Sequence, residues 1–86
     1  MARIRFVFGN RYITPRQVQI ISALVKGLSN KAIGLLLNVE TSTIKTQIER
    51  LMDRFALDSR IGLILLALKN NFDLNGDFHG KQVGQE

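Results

Sequence analysis

The chain of 86 residues contains no cysteine, so neither a disulfide framework nor a thiolate metal site can hold it together. It has a single histidine, His79, set in a polar segment with no second imidazole to share a metal, which argues against zinc or haem. No long apolar segment followed by small residues opens the chain, so no signal peptide is legible. The longest apolar run, near "GLILLAL", is far too short to span a bilayer, and a cytoplasmic location is expected. A glycine-rich phosphate loop, a nucleophile patterned beside a base, and carboxylates clustered with a histidine are all missing. An enzyme is therefore not expected, and no cofactor or metal is implied.

What is present is a small, globular, basic composition. Hydrophobic residues make up 45% and charged residues 22%, which suits one domain with one core. The net charge of +5 is unevenly spread: residues 1–60 carry a balance of +6 and residues 61–86 a balance of −1. A basic body points to a polyanionic partner, and the simpler alternative is a merely soluble basic domain.

The opening "RIRFVFGNRYI" alternates with period two, placing Ile4, Phe6 and Phe8 on one face, and Gly9-Asn10 is a plausible turn pair. Residues 1–13 thus read as an extended N-terminal arm or a hairpin, which must pack on the body or pair with another chain. A first helix begins with Thr14 as cap, Pro15 in the first position and Gln17 completing a capping box. Its apolar stripe is Ile20, Ile21, Leu24, Val25 and Leu28, and Gly27 stops it. Ser29 caps a second helix over 30–37, buried through Ile33 and Leu37, with Asn38 as a left-handed stop.

The third helix is expected over 41 to about 55, with Ile44, Ile48, Leu51 and Phe55 as its core stripe. Glu40 suits the positive end of its dipole, while Thr41 or Ser42 is the expected source of a capping oxygen. Asp58-Ser59 caps a fourth helix from 60 to about 71. Residues 72–86 read as a frayed polar tail anchored only by Phe72 and Leu74. The expected fold is all-α: a four-helix helix-turn-helix domain over 14–71, an extended arm before it and a polar tail after it.

Two short helices joined by a sharp turn in a basic body form a helix-turn-helix pattern. The string "ITPRQVQIISALVKGLSNKAIGLLLNVETSTIKTQIERLMDRFALDSR" resembles the LuxR-type (NarL/FixJ, GerE) DNA-binding domain over roughly residues 13–68. The matching elements are Thr14-Pro15-Arg16, Gly27-Leu28-Ser29-Asn30-Lys31, Ile33, Leu37, Thr43-Ile44-Lys45-Thr46 and Arg60. The resemblance implies a third helix that reads the major groove of double-stranded DNA and a fourth helix that dimerises. Most relatives carry a receiver or ligand-binding domain ahead of this module. With Met1 only a dozen residues upstream, a stand-alone transcriptional regulator is expected.

At about 100° per residue, the inward stripe of the third helix turns Ser42, Thr46, Glu49 and Asp53 outward, flanked by Lys45 and Arg50. The expected base contacts are Ser42, Lys45, Thr46 and Glu49, with Gln47 at the edge where the family often has histidine. Expected phosphate contacts are Ser29, Asn30 and Lys31 at a helix N-terminus, and Arg16, Thr43, Arg50, Arg54 and Arg60. The bland alternative is a solvated charged face held by local ion pairs. If about six phosphates are neutralised per dimer, the log–log salt slope is about −5.

Departures from the family pattern are informative. Glu49 and Asp53 put carboxylates on the face meant for DNA, where one can accept from a cytosine amino group. Gln17 replaces the usual glutamate, Ala32 a polar residue, and Leu35 and Leu36 positions that are commonly charged. Leu35 is expected to meet the N-terminal arm or, with Leu36, another protein. The fourth helix has no charge between Arg60 and Lys69. One stripe is Ile61, Ile64, Leu65, Leu68 and Phe72, and another is Leu63, Leu66 and Ala67. One core cannot bury both. A second subunit is therefore expected, with Ile61, Ile64, Leu65, Leu68 and Phe72 as the dimerisation residues; the alternative is that the tail folds back over the second stripe.

The rival function is an interaction module that uses the same fold to bind another regulator or the transcription machinery. Attachment of the fourth helix to a membrane surface is disfavoured, because it has no basic polar face.

Overall fold

The computed structural model describes residues 3–85; Met1, Ala2 and Glu86, the extreme ends of the expected arm and tail, lie outside the described residues. In chain order the elements are β1 (Arg3–Phe8), β2 (Arg11–Ile13), α1 (Pro15–Val25), α2 (Asn30–Leu37), α3 (Thr41–Arg54), α4 (Arg60–Lys69) and β3 (Gln82–Gln85). The helices carry the caps that local chemistry demands. Thr14 accepts from the Gln17 N–H at 3.1 Å while Gln17 Oε1 accepts from the Thr14 N–H at 2.9 Å, a complete capping box. Ser29 Oγ accepts from the Ala32 N–H and Ser59 Oγ from the Gly62 N–H. Between α1 and α2 the chain turns at Gly27, with φ of 83°, and after α2 at Asn38, with φ of 57° and ψ of 50°.

Three expectations are corrected. The domain is not purely all-α, because the arm is a β1–β2 hairpin whose outer partner is β3, giving an antiparallel sheet in the order β2-β1-β3. Arg3 stands opposite Gln85 and Phe6 opposite both Gln82 and Ile13, so the two ends of the chain meet in one sheet. The segment after α4 is accordingly ordered rather than frayed: Phe72 and Phe78 form a β-bridge, and Leu74 is exposed and anchors nothing. Asp73 organises the turn between them, accepting from the backbone N–H groups of Asn75 and Asp77 and meeting His79 Nε2 at 2.7 Å. The hydrogen bond with His79, ahead of those backbone donors, holds the Asp73 carboxyl below its ordinary pKa despite some desolvation. Finally, Glu40 is the N-cap residue of α3 and makes no side-chain cap bond, so neither Thr41 nor Ser42 supplies the capping oxygen.

One core joins these parts. Ile20, Ile21 and Leu24 of α1, Ile33 of α2, Ile44, Ile48 and Leu51 of α3, and Leu63 and Ala67 of α4 are buried together with Phe8 and Ile13. All five phenylalanines connect through ring contacts: Phe6 with Phe78, Phe78 with Phe72, Phe72 with Phe8 and Phe8 with Phe55, at centroid separations of 4.7–5.8 Å. The sheet is thus packed onto the helices by aromatic burial and is not a loose appendage.

The end of α3 stores strain. Ala56 sits at φ of 56°, a left-handed conformation that places Cβ against the carbonyl oxygen, while the Leu57 N–H closes the turn onto Met52 O. Relieving that conflict outweighs the extra chain entropy of glycine, so Ala56→Gly is expected to stabilise by about 0.5–1 kcal/mol. In a domain of this size that raises Tm by about 3–6 °C. Thermal unfolding followed by circular dichroism checks it, and an unchanged or lower Tm refutes it.

Candidate nucleic-acid interface

The angle between α2 and α3 is set by the residues at 34–40. The Val39 N–H donates to Gly34 O at 2.8 Å, folding the turn back against the helix it leaves. Gly34 is buried there, and a Cβ at that position would stand 2.6 Å from Val39 O. The close approach therefore needs a residue with no side chain. In the sequence, a glycine inside an otherwise apolar helical run is the one local signal of this close approach.

With that turn made, α3 is seated through Ile44, Ile48 and Leu51, which are buried. Its opposite face stands clear of the body: Ser42, Lys45, Thr46, Glu49 and Asp53 are all exposed. Thr46 Oγ1 donates to Ser42 O at 3.1 Å, which fixes the hydroxyl along the helix while the residue stays exposed. Gln47 is half-buried at the edge, in a depression it shares with Arg50 and with Thr14, Arg16 and Gln17 of the α1 start.

The expected phosphate ligands divide into two groups. Arg16, Lys31, Thr43 and Arg50 are exposed, and Ser29 is exposed while serving as cap. Asn30, Arg54 and Arg60 are engaged within the domain. Arg60 donates through Nη1 to Asn30 Oδ1 and through Nη2 to Leu28 O, tying the first residue of α4 to the α1–α2 turn. Arg54 Nη2 donates to Tyr12 O at 2.6 Å, tying the end of α3 to strand β2. Neither tie was legible in the sequence, because each joins residues far apart in the chain.

Helix α4 buries Leu63 and Ala67, with Leu66 and Ile64 half-buried on the same core. On the other side Ile61 and Leu65 are 67% and 53% exposed, and Leu68 is half-exposed. Of the residues expected to dimerise, Phe72 does not belong to that surface. The helix stops at Lys69, Asn71 turns with φ of 74°, and Phe72 is carried inward to 4% exposure between Phe8 and Phe78. Helical spacing was extended past the end of the helix. On α2, Leu35 and Leu36 are 75% and 62% exposed, so neither is covered by the rest of the described domain.

Two short helices crossing through residues 38–40, the second with a free polar face on a basic body, define a helix-turn-helix domain. The sequence profile described as "Bacterial regulatory proteins, luxR family" matches residues 11–67. The chain belongs to that family and carries its helix-turn-helix DNA-binding domain of transcription regulation. It is similar to the probable transcriptional regulator ycf29 of Porphyra purpurea, at 30% identity over 60 residues that cover 70% of this chain and 29% of that protein. It is also similar to the nitrate/nitrite response regulator protein NarP of Escherichia coli (strain K12), at 33% identity over 57 residues covering 66% of this chain and 26% of NarP. The chain thus spans less than a third of the length of these curated relatives. No solved structure matches it. Among the described residues no group of His, Cys, Asp or Glu is arranged to hold a metal ion, and no helix is long and apolar enough to cross a membrane.

Proposed function

We infer that the protein is a sequence-specific transcriptional regulator that binds duplex DNA as a homodimer, with α3 in the major groove. The observation that carries this reading is the division of α3 into a buried side and an exposed polar side that includes Ser42, Lys45, Thr46 and Glu49. A helix is the right width for the major groove, where each base pair presents its own donor and acceptor pattern. Lys45 donates to guanine O6 and N7. With its hydroxyl occupied by Ser42 O, Thr46 offers its methyl to a thymine methyl. Glu49 accepts from a cytosine amino group, which turns an electrostatic cost near phosphates into a base preference. Ser42 and Gln47 complete the reading edge. Arg16, Lys31, Thr43 and Arg50 hold the flanking phosphates. Asn30 and Arg60 act in this reading through the position they give α2 and α4. The exposed Ile61, Leu65 and Leu68 pair with their copies in a second subunit, burying a surface that would otherwise promote aggregation.

A gel-shift titration with genomic fragments at low and high salt tests the reading. Lys45→Ala and Thr46→Ala are each expected to weaken the specific complex by about 1–3 kcal/mol while leaving non-specific, salt-sensitive binding in place. Specific complexes of unchanged affinity in both variants refute the assignment of α3.

The exposure of Leu35 and Leu36 favours a second reading, in which α2 docks on another regulator or on the transcription machinery. The two separate cleanly. Absence of any duplex binding, together with a protein contact that Leu35→Asp abolishes, selects the second.

A further inference from the structure

Helix α3 is nearly neutral: Lys45, Arg50 and Arg54 are set against Glu49 and Asp53, a balance of +1. Residues 1–39, by contrast, hold six basic side chains (Arg3, Arg5, Arg11, Arg16, Lys26 and Lys31) and no acidic one. Affinity for a polyanion follows the number of phosphates neutralised, so most of it must originate ahead of α3.

Part of that basic segment is brought to one flank of α3. At about 100° per residue, Thr43, Gln47, Arg50 and Arg54 share this flank. Gln47 and Arg50 line a depression with Thr14, Arg16 and Gln17. A second depression, lined by Arg3, Ile4, Arg5, Thr14 and Pro15, shares Thr14 with the first, and among the described residues no acidic one lines either. Next to them the Arg5 guanidinium lies 4.5 Å over the Tyr12 ring, and Tyr12 O is the acceptor of Arg54. Arg3 and Arg5, two apart on β1, share one face of the sheet, and Arg3 is exposed. Both lie ahead of residues 11–67, the part of the chain matched to the family, and β3 from the far end of the chain pairs with the strand that carries them.

We propose that the β1–β2 hairpin extends the DNA-binding surface, with the exposed Arg3 engaging the phosphodiester backbone that flanks the segment read by α3. This rests on the reading of α3 given above. The occupant is DNA backbone, because the surface is cationic, shallow and continuous with the α1 start and Arg50. The contact is sequence-independent, since arginines at a groove edge meet phosphate oxygens that every sequence presents. Reach is sufficient: the domain measures 34 × 28 × 24 Å, against about 34 Å for one turn of B-DNA.

The test compares salt dependence for wild type and Arg3→Gln on two duplexes, one trimmed to the footprint of the helices and one with flanks of a further turn. On the flanked duplex Arg3→Gln lowers the log–log slope by about 1 per protomer, equally for specific and random sequence. On the trimmed duplex the two proteins bind alike. Arg3→Lys, which keeps the charge, restores the slope, and thermal melts matching wild type show that the sheet is intact. If wild type binds duplex and Arg3→Gln leaves slope and flank dependence unchanged, the hairpin's role is overturned while the reading of α3 stands. If wild type binds no duplex, both are overturned.

Discussion

Gly34→Ala is expected to destabilise the domain by about 2 kcal/mol, although alanine is the better helix former by about 1 kcal/mol. The added Cβ would stand 2.6 Å from Val39 O, and the obstacle is backbone rather than a flexible side chain. Moving Val39 away breaks its N–H bond to Gly34 O and opens the turn that sets α3 on the body. The steric cost therefore exceeds the propensity gain, and Tm should fall by about 8–16 °C for a domain of this size. Gly62→Ala is the internal control. The nearest atoms its Cβ would meet are Leu57 side-chain carbons and Ser59 Oγ, at ordinary contact distances of 3.5–3.7 Å. Propensity then decides, and that variant should gain up to about 1 kcal/mol. Thermal melts of the two variants should shift in opposite directions; a shared direction, or no loss for Gly34→Ala, shows that the turn yields without cost.

The proposed pairing of α4 predicts the second large effect. Ile61 and Leu65 are exposed, so Leu65→Asp leaves the monomer core, built here on Leu63 and Ala67, untouched. A carboxylate facing its own copy across a two-fold axis is repelled and desolvated, which should dissolve the dimer. Two half-sites bound together gain about 10²–10⁴ in affinity over one, so Leu65→Asp should weaken operator binding by at least about a hundredfold with little change in Tm. Light scattering at low micromolar concentration, alongside the gel shift, checks both halves. A wild type that scatters as a monodisperse monomer removes the case for α4 pairing outright.

Most of the helical frame and the polar face of α3 were legible in the sequence. The caps at Thr14, Ser29 and Ser59 each close a bond within three residues, and the stops at Gly27 and Asn38 depend on the backbone freedom of one residue. The inward stripe of Ile44, Ile48 and Leu51 is likewise a matter of spacing along one helix. Where reasoning failed, it carried a local rule past its range. Phe72 was placed on the α4 stripe by counting beyond Lys69, where the helix has ended. Arg60 and Asn30, both expected at phosphates, also bond to each other across thirty residues of chain, a contact that no local rule reveals.

The sequence by itself determined the four helices, their ends, and the side of α3 left for a ligand, because those follow from hydrogen bonds and periodicities confined to a few neighbouring residues. Only the tertiary structure decided that β3 completes a sheet with β1, that Arg54 fastens α3 to Tyr12, and that Arg3 and Arg5 line a depression with Thr14 and Pro15 at the α1 start. Those contacts join distant parts of the chain, and their strength depends on register and aromatic packing that exist only once the core has closed.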